Sequence, residues 1–420
     1  MLLIMEQQSL ADRINVANLV ALQRMATCVP VWVAVAPAGD AIPGMDRRTV
    51  LHSGPPIPFH DMCGPQRHAV CGVICWEGLS SSIEEAAALV ESDAIRLLPN
   101  HELGAVSPMT GVVSASMPVF VVEDRCTGRR SWTAIHEGSS RQRLSFGSLS
   151  QAVFENLNWV RDTLAPALHA AVQAVEGVAL LPLLARALAM GDECHNRLYA
   201  TTSMLSRELA PTLVDVVPAH ASAVLHFLAK TDNLALNLAM PAFKLMAQAM
   251  HGIPFCSLVT AMSRNGSEFG IRVSSLGDTW FTAPANPVEG VYFAGYSAAD
   301  AGLDMGDSSI AETVGFGGFA LAASPSMVSA VGGDAAMARR LDAEMRSICA
   351  GTHQDFVLPP LDFRPVPVGI DVRKVVDTGI APVIDTAIAH RDGGQIGVGL
   401  VRAPLSCFTQ ALRALGSALI

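Results

Sequence analysis

The chain has 420 residues, half of them hydrophobic, and a formal net charge of -10. That length supplies apolar cores for two or three packed regions without disulfides. An acidic chain with no Lys/Arg cluster sets its surface field against nucleic acid and anionic lipid, so neither is an expected partner.

Taken in order, residues 31–36 are an apolar run that predicts a buried strand, and Ser53-Gly-Pro-Pro-Ile-Pro58 a rigid loop. Residues 82–91 predict a helix. Residues 119–122 and 132–135 predict strands, joined by a turn over 123–128. From Ser148 the pattern turns helical: Ser148-Leu-Ser-Gln151 fits a capping box, and Val153, Leu157, Val160 and Leu164 share one face. Further helices are expected over 178–190, 222–229 and 234–250, the last kinked or divided at Pro241. After Gly252 strand signals return at 256–259, 269–273 and 280–282, then a helix over 335–349. Residues 359–367 read as a stiff Pro-rich crossing of the surface, and the glycines of 393–399 as loops between short strands. The expected fold class is α/β, mixed α+β. Two α/β regions, 1–147 and 253–420, flank a mainly helical region over 148–252, with Gly-rich site loops in the last.

Mean hydropathy is positive, at +0.37, but the long uncharged stretches 105–122 and 313–333 are broken by Pro or Gly and predict no membrane span. The start Met1-Leu-Leu-Ile-Met-Glu6 lacks the length and basic leader of a secretory signal. Nine irregularly spaced cysteines read as reduced thiols, and the expected location is the cytoplasm. His60, Cys63, His68, Cys71 and Cys75 lack zinc-site spacing, and Gly393–Gly399 does not match a dinucleotide fingerprint. No cofactor is predicted.

Polar side chains concentrate in three segments. If Gly191-Asp-Glu-Cys-His-Asn-Arg197 is helical, Asp192, His195 and Asn196 share a face and Glu193 pairs with Arg197. Asp192 beside His195 would fix the imidazole tautomer for acid/base work, although such residues also cap helix ends. In Met262-Ser-Arg-Asn-Gly266 the Asn265-Gly266 pair reads as a hairpin turn, while Arg264 offers a planar fork for a carboxylate or phosphate. The third segment spans 300–320. Gly306, Ser308, Ser309, Thr313, Gly315, Gly317 and Gly318 are candidates for an anion or carbonyl pocket, and Ser309 with Glu312 for a capping box. Asp304, Asp307 and Glu312 would oppose a bare anion there and would suit a divalent cation or substrate N–H groups.

Read together, five ordered segments resemble the YlbE/YahG-like family of bacterial proteins over nearly the whole chain. They are Met190-Gly-Asp-Glu-Cys-His-Asn-Arg197, Met262–Gly266 with Phe269-Gly-Ile271, Trp280-Phe-Thr-Ala283, Gly306-Asp-Ser-Ser-Ile-Ala-Glu-Thr313, and Gly369-Ile-Asp371 with Gly394-Gln-Ile-Gly397. The family includes the AllG subunit of oxamate carbamoyltransferase, an enzyme of allantoin catabolism that exchanges a carbamoyl group between oxamate and phosphate. The resemblance thus implies a transferase subunit that meets a small anion such as carbamoyl phosphate or oxamate. It also implies an FdrA-like partner and a third subunit, with a homodimer as a further arrangement. It assigns no catalytic residue. The chemistry of the segments makes His195 and Asp192 the candidate proton shuttle. Candidate substrate contacts are Arg264, Asn265, Arg197, Lys244, Gly306, Ser308, Ser309, Thr313 and Glu312. Asp192, His195, Arg264, Asn265, Asp307, Ser308 and Glu312 are expected around one cleft.

Departures from the family pattern fall at Asn100 (for Cys in Pro-Cys-x-His), Ser107 (for Gly in Val-Gly-Pro-Met) and His136 (for Asn in Asn-Glu-Gly). Others are Ser145 (for Arg in Arg-Phe-Gly), and Asp385 and Ala387 (for Asn and Gly in Asn-Thr-Gly-Ile-Ala). They alter pocket charge and point to a different amide or ureido acceptor. A non-catalytic subunit of such an assembly, and an amidohydrolase with a metal at Asp304, Asp307 or Glu312, are the competing readings.

Overall fold

A computed structural model describes residues 9–419, so the start read above for a leader lies outside it. The class is mixed α+β, built on several small sheets. Helix α1 (Leu10–Ala26), with Ser9 as its cap, leads into β1 (Pro30–Pro37). Strand β2 (Thr49–His52), helices α2 (Gly64–Trp76) and α3 (Ile83–Glu91), and β3 (Arg96–Pro99) follow, with β2 and β3 parallel. Strands β4 (Pro118–Asp124) and β5 (Arg130–Ala134) form a hairpin that joins β1 in an antiparallel sheet. A bulge between Trp32 and Ala34 interrupts the register of β1, and the Trp32 ring meets Phe120 edge-on at 5.2 Å.

The helical layer starts with α4 (Gln151–Trp159), whose cap is Ser150 rather than Ser148: its hydroxyl accepts from Val153 N at 3.3 Å. Val153, Leu157, Val160 and Leu164 are all buried, as their spacing requires. A π turn over Val160–Leu164 links α4 to α5 (Ala165–Ala174). Pro166 lacks the N–H that an α ladder needs there, and the wider turn absorbs the deficit. Residues 178–179 form a short strand, β6 (Val178–Ala179), that adds to β1, so the helix expected from 178 begins later as α6 (Leu180–Ala189). Then come α7 (Tyr199–Val216), α8 (Pro218–Lys230) and α9 (Leu236–Ala249). Helix α9 continues through Pro241 undivided, at the cost of the one ladder bond that a residue there would donate to Asn237 O.

Beyond it β7 (Val259–Asn265) and β8 (Glu268–Val273) form a hairpin, flanked by β9 (Phe281–Pro284). Strand β10 (Glu289–Tyr292) belongs to another sheet, and β11 (Met305–Gly306) pairs with the free side of β7. Helix α10 (Ala335–Ile348) precedes the ribbon of β12 (Cys349–Leu358) and β13 (Arg364–Ile370). The Pro-rich crossing expected over 359–367 is thus half strand. Pro365 and Pro367 sit in a two-stranded ribbon, where a missing N–H can face the unpaired edge. Helix α11 (Val372–Thr378), strands β14 (Val383–Ala389) and β15 (Gln395–Arg402), and α12 (Leu405–Ala418) complete the chain.

Three large apolar clusters result, with a small fourth of Met109, Phe146, Met305 and Ala389. One surrounds α2 and α3, one joins the helical layer to β1, β4 and the β12–β13 ribbon, and one lies under the C-terminal sheets. The polar residues of interest lie where these meet. No described helix is long and apolar enough to cross a membrane, and all nine cysteines are unpaired.

Candidate functional site

Residues 191–198 are a loop between α6 and α7, not a helix, and this changes every pairing expected within it. The Glu193 carboxylate accepts from the backbone N–H of His195 (3.3 Å), Asn196 and Arg197 (2.8 Å), so it organises the loop rather than meeting the Arg197 side chain. Asp192 is turned toward α7, where it accepts from Ala200 N, Thr201 N and the Thr201 hydroxyl and also holds Arg197. Asp192 therefore caps a helix and does not face His195. The acid that does is Glu312, 117 residues away: His195 Nδ1 lies 2.8 and 3.0 Å from its two oxygens. Glu312 also accepts from Gly318 N (2.9 Å) and Asp385 N (3.1 Å). A carboxylate surrounded by donors fixes the proton of the imidazole on Nδ1 and leaves Nε2 as its acceptor. Gly317 makes this pair possible: at φ +59, a Cβ there would stand 2.0 Å from Glu312 Oε1.

Two more acids lie beneath. Asp385 Oδ1 accepts from Asn196 Nδ2 at 2.5 Å, and burial beside Glu193 pushes the Asp385 carboxyl well above the usual range. Burial raises Glu193 as well. Two adjacent buried carboxyls cannot both ionise cheaply, so burial and their proximity favour the protonated form at Asp385.

The 304–309 segment is a structural hub. Arg264 is fully buried, with Nε and Nη2 each 2.8 Å from the Asp304 carboxylate, Nη1 2.8 Å from Gly306 O, and Nη2 2.9 Å from Thr386 Oγ1. Its fork is occupied, so the expectation that it holds a substrate anion does not survive: the guanidinium braces β7, β11 and β14. Asp307 accepts from Gly54 N, Ser263 Oγ, Asn100 Nδ2 and Ser107 N. Asn265 closes the β7–β8 turn by accepting from Ser267 N and Glu268 N. Ser309 donates to Met262 O and Thr313 to Ser309 O, so no capping box with Glu312 forms. Asp304, Asp307 and Glu312 thus serve three separate sets of donors and do not converge as cation ligands. Among the described residues no three His, Cys, Asp or Glu side chains form a metal-ligating group.

The motif segments border a cavity of about 80 Å³, lined among others by Ser107, His136, Arg143, His195, Asn237, Ser308 and Thr386. That volume holds a few waters or a ligand of about six non-hydrogen atoms. Of the expected pocket residues His195 and Ser308 reach its wall. Gly306, Ser309, Thr313, Gly315, Gly317 and Gly318 do not. Arg143 is the cation on this wall. Its Nη1 donates to Gly138 O at 2.8 Å, Nη2 reaches Gln395 Oε1 only at 3.5 Å, and Nε, although buried, has no partner. Nη1 also lies 3.2 Å from His136 Nε2. His136 is held neutral by burial and by Arg143, and its Nδ1 already accepts from Gly138 N, so Nε2 carries the proton and cannot accept. Arg143 pairs with no carboxylate. The nearby Glu137 binds the backbone N–H of Leu144 and Ser145 instead, which shapes the loop that presents the guanidinium.

Known proteins resemble the chain over nearly its whole length. The sequence profile described as oxamate carbamoyltransferase subunit AllG matches residues 95–308. A protein of that name from Escherichia coli K12 is 41% identical over 410 residues, covering 96% of this chain and 98% of that one. The chain belongs to the AllG family. A second member, the uncharacterized YahG of the same organism, is 42% identical over 96% of this chain and 86% of its own length. A crystal structure of a conserved protein of unknown function from Enterococcus faecalis V583 superposes with a TM-score of 0.96 at 42% identity, covering 98% of this chain and all of that one.

The positions read above as departures gather at the cavity: Ser107, His136, Ser145 and Ala387 line it, Asn100 holds Asp307, and Asp385 holds Asn196. Arg143 itself was not foreseen. The available signal was its place between two departures, His136 and Ser145.

Lys244, expected at the substrate, is instead buried on α9, 2.9 Å from His101 Nδ1. Burial, reinforced by Arg272, lowers its pKa from 10.5 to about 7. Between those values the unfolded chain binds a proton that the folded chain has lost, so this group makes stability rise with pH from about 7 to 10.5, with no contribution to the slope below that window. Urea unfolding at a series of pH values from about 6.5 to 9.5, with Lys244→Met beside wild type, should show the wild type gaining on the variant by roughly a few kcal/mol as pH rises. Parallel curves would mean that Lys244 is not a buried titrating amine.

Proposed function

We propose that this chain is a subunit of a carbamoyltransferase assembly, and that the cavity binds the small carboxylate acceptor, oxamate or a related amide or ureido acid. The observation that carries the reading is Arg143: a half-buried guanidinium whose Nε is sealed from solvent and whose Nε/Nη2 edge lacks a carboxylate, on the wall of a cavity that also holds the unpartnered Nε2 side of His195. Other guanidiniums of low exposure are paired, Arg264 with Asp304, Arg272 with Glu102 and Arg346 with Asp342. A fork left open beside a small cavity fits a planar carboxylate.

In the proposed step the acceptor carboxylate lies on Arg143 and its amide nitrogen points toward His195. The nitrogen forms a bond to the carbamoyl carbon of carbamoyl phosphate, the bond from that carbon to the phosphate oxygen breaks, and phosphate leaves. The proton lost by nitrogen goes to His195 Nε2, and Glu312 stabilises the imidazolium that results. Phosphorolysis of the N-carbamoyl acid is the same path reversed. An FdrA-like partner and a third subunit, implied by the family resemblance, complete the assembly in this reading, in the cytoplasm.

The test is co-purification of the tagged full-length chain with its native partners, followed by assay of phosphate release from carbamoyl phosphate. Release should depend on oxamate or a related acceptor. Arg143→Ala should raise the acceptor KM about 10- to 100-fold, the scale of a hydrogen-bonded charge pair. A complete assembly without acceptor-dependent release, or an unchanged KM in Arg143→Ala, would overturn the proposal.

A further inference from the structure

The residues bordering the cavity use nearly all their buried polar atoms internally. Ser308 and Thr386 accept from Arg264, Ser107 Oγ accepts from Ala134 N, and Asn233 accepts from Leu198 N and donates to Asn196 O. Among the described buried side-chain atoms without a hydrogen-bond partner, two belong to residues that line this cavity: Arg143 Nε, a donor, and Asn237 Oδ1, an acceptor. The orientation of the Asn237 amide is not arbitrary. Its Nδ2 lies 2.7 Å from Ala134 O, an acceptor only, so the NH2 end must face β5 and the oxygen must face away from it. Asn237 is 2% exposed and sits in the first turn of α9, where the helix backbone fixes its Cα. A buried acceptor without a protein partner is costly to keep, so Asn237 Oδ1 calls for a donor from the cavity side, a water before the ligand binds and an N–H of the ligand that displaces it.

We infer that Asn237 is a specificity-determining residue of this cavity: its Oδ1 receives an N–H of the bound acid while Arg143 receives the carboxylate. This rests on the functional reading above and sharpens it. The ligand class is a planar monocarboxylate with a primary amide or ureido N–H, small enough for about six non-hydrogen atoms. A diacid would set oxygen against Asn237 Oδ1, and a keto acid of the same shape would set a methyl group there. Of the two amide hydrogens, one is held by Asn237 and the other is left toward His195 Nε2, so a single residue would set both selectivity and the direction in which nitrogen presents its lone pair.

Oxamate and pyruvate test this directly, because they share shape and charge and differ by NH2 against CH3. Calorimetric titration of the co-purified assembly should give oxamate at least ten-fold tighter binding than pyruvate, and also tighter than oxalate despite the second charge of the diacid. In Asn237→Leu, which keeps the bulk and removes the acceptor, the ratio of oxamate to pyruvate affinity should fall to within about two-fold. Were Asn237 only a tie between α9 and β5, this variant would lose thermal stability and keep the ratio, which overturns the inference. Should Asn237→Leu fail to fold, the wild-type ratio decides alone. Equal affinities for oxamate and pyruvate, tighter binding of oxalate, or no binding of any of the three would each overturn it. An assembly that transfers carbamoyl without this discrimination removes only the Asn237 assignment. One that discriminates without transferring removes the transferase reading and leaves the ligand class standing.

Discussion

Replacing His195 with Gln should lower the turnover of the assembled transferase by about 10²- to 10⁴-fold, the usual contribution of a positioned acid/base group. The acceptor KM should move little, because the carboxylate stays on Arg143. The argument is geometric. His195 is held on one side by Glu312 at 2.8 Å, has no partner on Nε2, and lines the cavity. Gly318 N, Asp385 N and His195 Nδ1 all reach Glu312 Oε1, so a Gln at this position keeps its oxygen there and sets its NH2 at the Oε2 place, 3.0 Å from His195 Nδ1, donor against donor. Glu312→Gln should therefore also lower turnover, by reorienting the ring rather than by emptying the site. The measurement is steady-state kinetics on the reconstituted complex, with melting temperatures taken beside it. A full turnover number in a well-folded His195→Gln protein would end the proton-transfer role, and a loss confined to KM would make His195 a binding residue only.

The sequence made the elements with simple periodicity readable. The buried face of α4 followed from Val153, Leu157, Val160 and Leu164, and β1, β4 and α10 from short apolar or amphipathic runs. Helix α7 was not anticipated. Its buried Leu205, Leu209 and Leu213 do recur every fourth residue, but Thr201-Thr202-Ser203 and the interior Pro211 dilute the signal in a window of that length. Helix α2 was obscured differently: its His and Cys drew attention as metal ligands, although Pro65 in its first turn marks a helix start.

For the site, the segments were readable and the partnerships were not. The 191–197 and 304–318 segments do meet, as separated polar motifs in an apolar chain should. Which acid meets which base depends on whether 191–198 is helix or loop, and that is decided by α6 ending at Ala189 and by Asp192 capping the next helix. A helical reading gave His195 to Asp192, whereas the loop gives it to Glu312. Arg264 was read as a free cation because its partner, Asp304, lies 40 residues away across a strand pairing that local sequence does not reveal. Arg143 was passed over for the converse reason. It becomes notable only once the nearby acid, Glu137, is found to be occupied by Leu144 N and Ser145 N.

That occupied fork gives the last expected result. Asp304→Ala should destabilise the protein by about 3 to 5 kcal/mol, because it leaves the Arg264 charge buried and uncompensated. Both side chains are essentially sealed from solvent, at 0% for Arg264 and 1% for Asp304, so solvent screening does not soften the loss. Arg264 also reaches Gly306 O, Ser308 Oγ and Thr386 Oγ1, and the last two belong to residues on the cavity wall. A guanidinium that shifts to find water would therefore disturb the acceptor site along with the fold. Urea unfolding of wild type, Asp304→Ala and the double variant Asp304→Leu/Arg264→Met separates the two effects. The double variant should recover much of the lost stability, since apolar replacement of a whole buried pair is often nearly neutral. It should not recover acceptor binding, because Ser308 and Thr386 lose the donor that orients them. If Asp304→Ala unfolds at the wild-type urea midpoint, Arg264 is not the sealed brace between β7, β11 and β14, and its fork becomes available again as an anion contact.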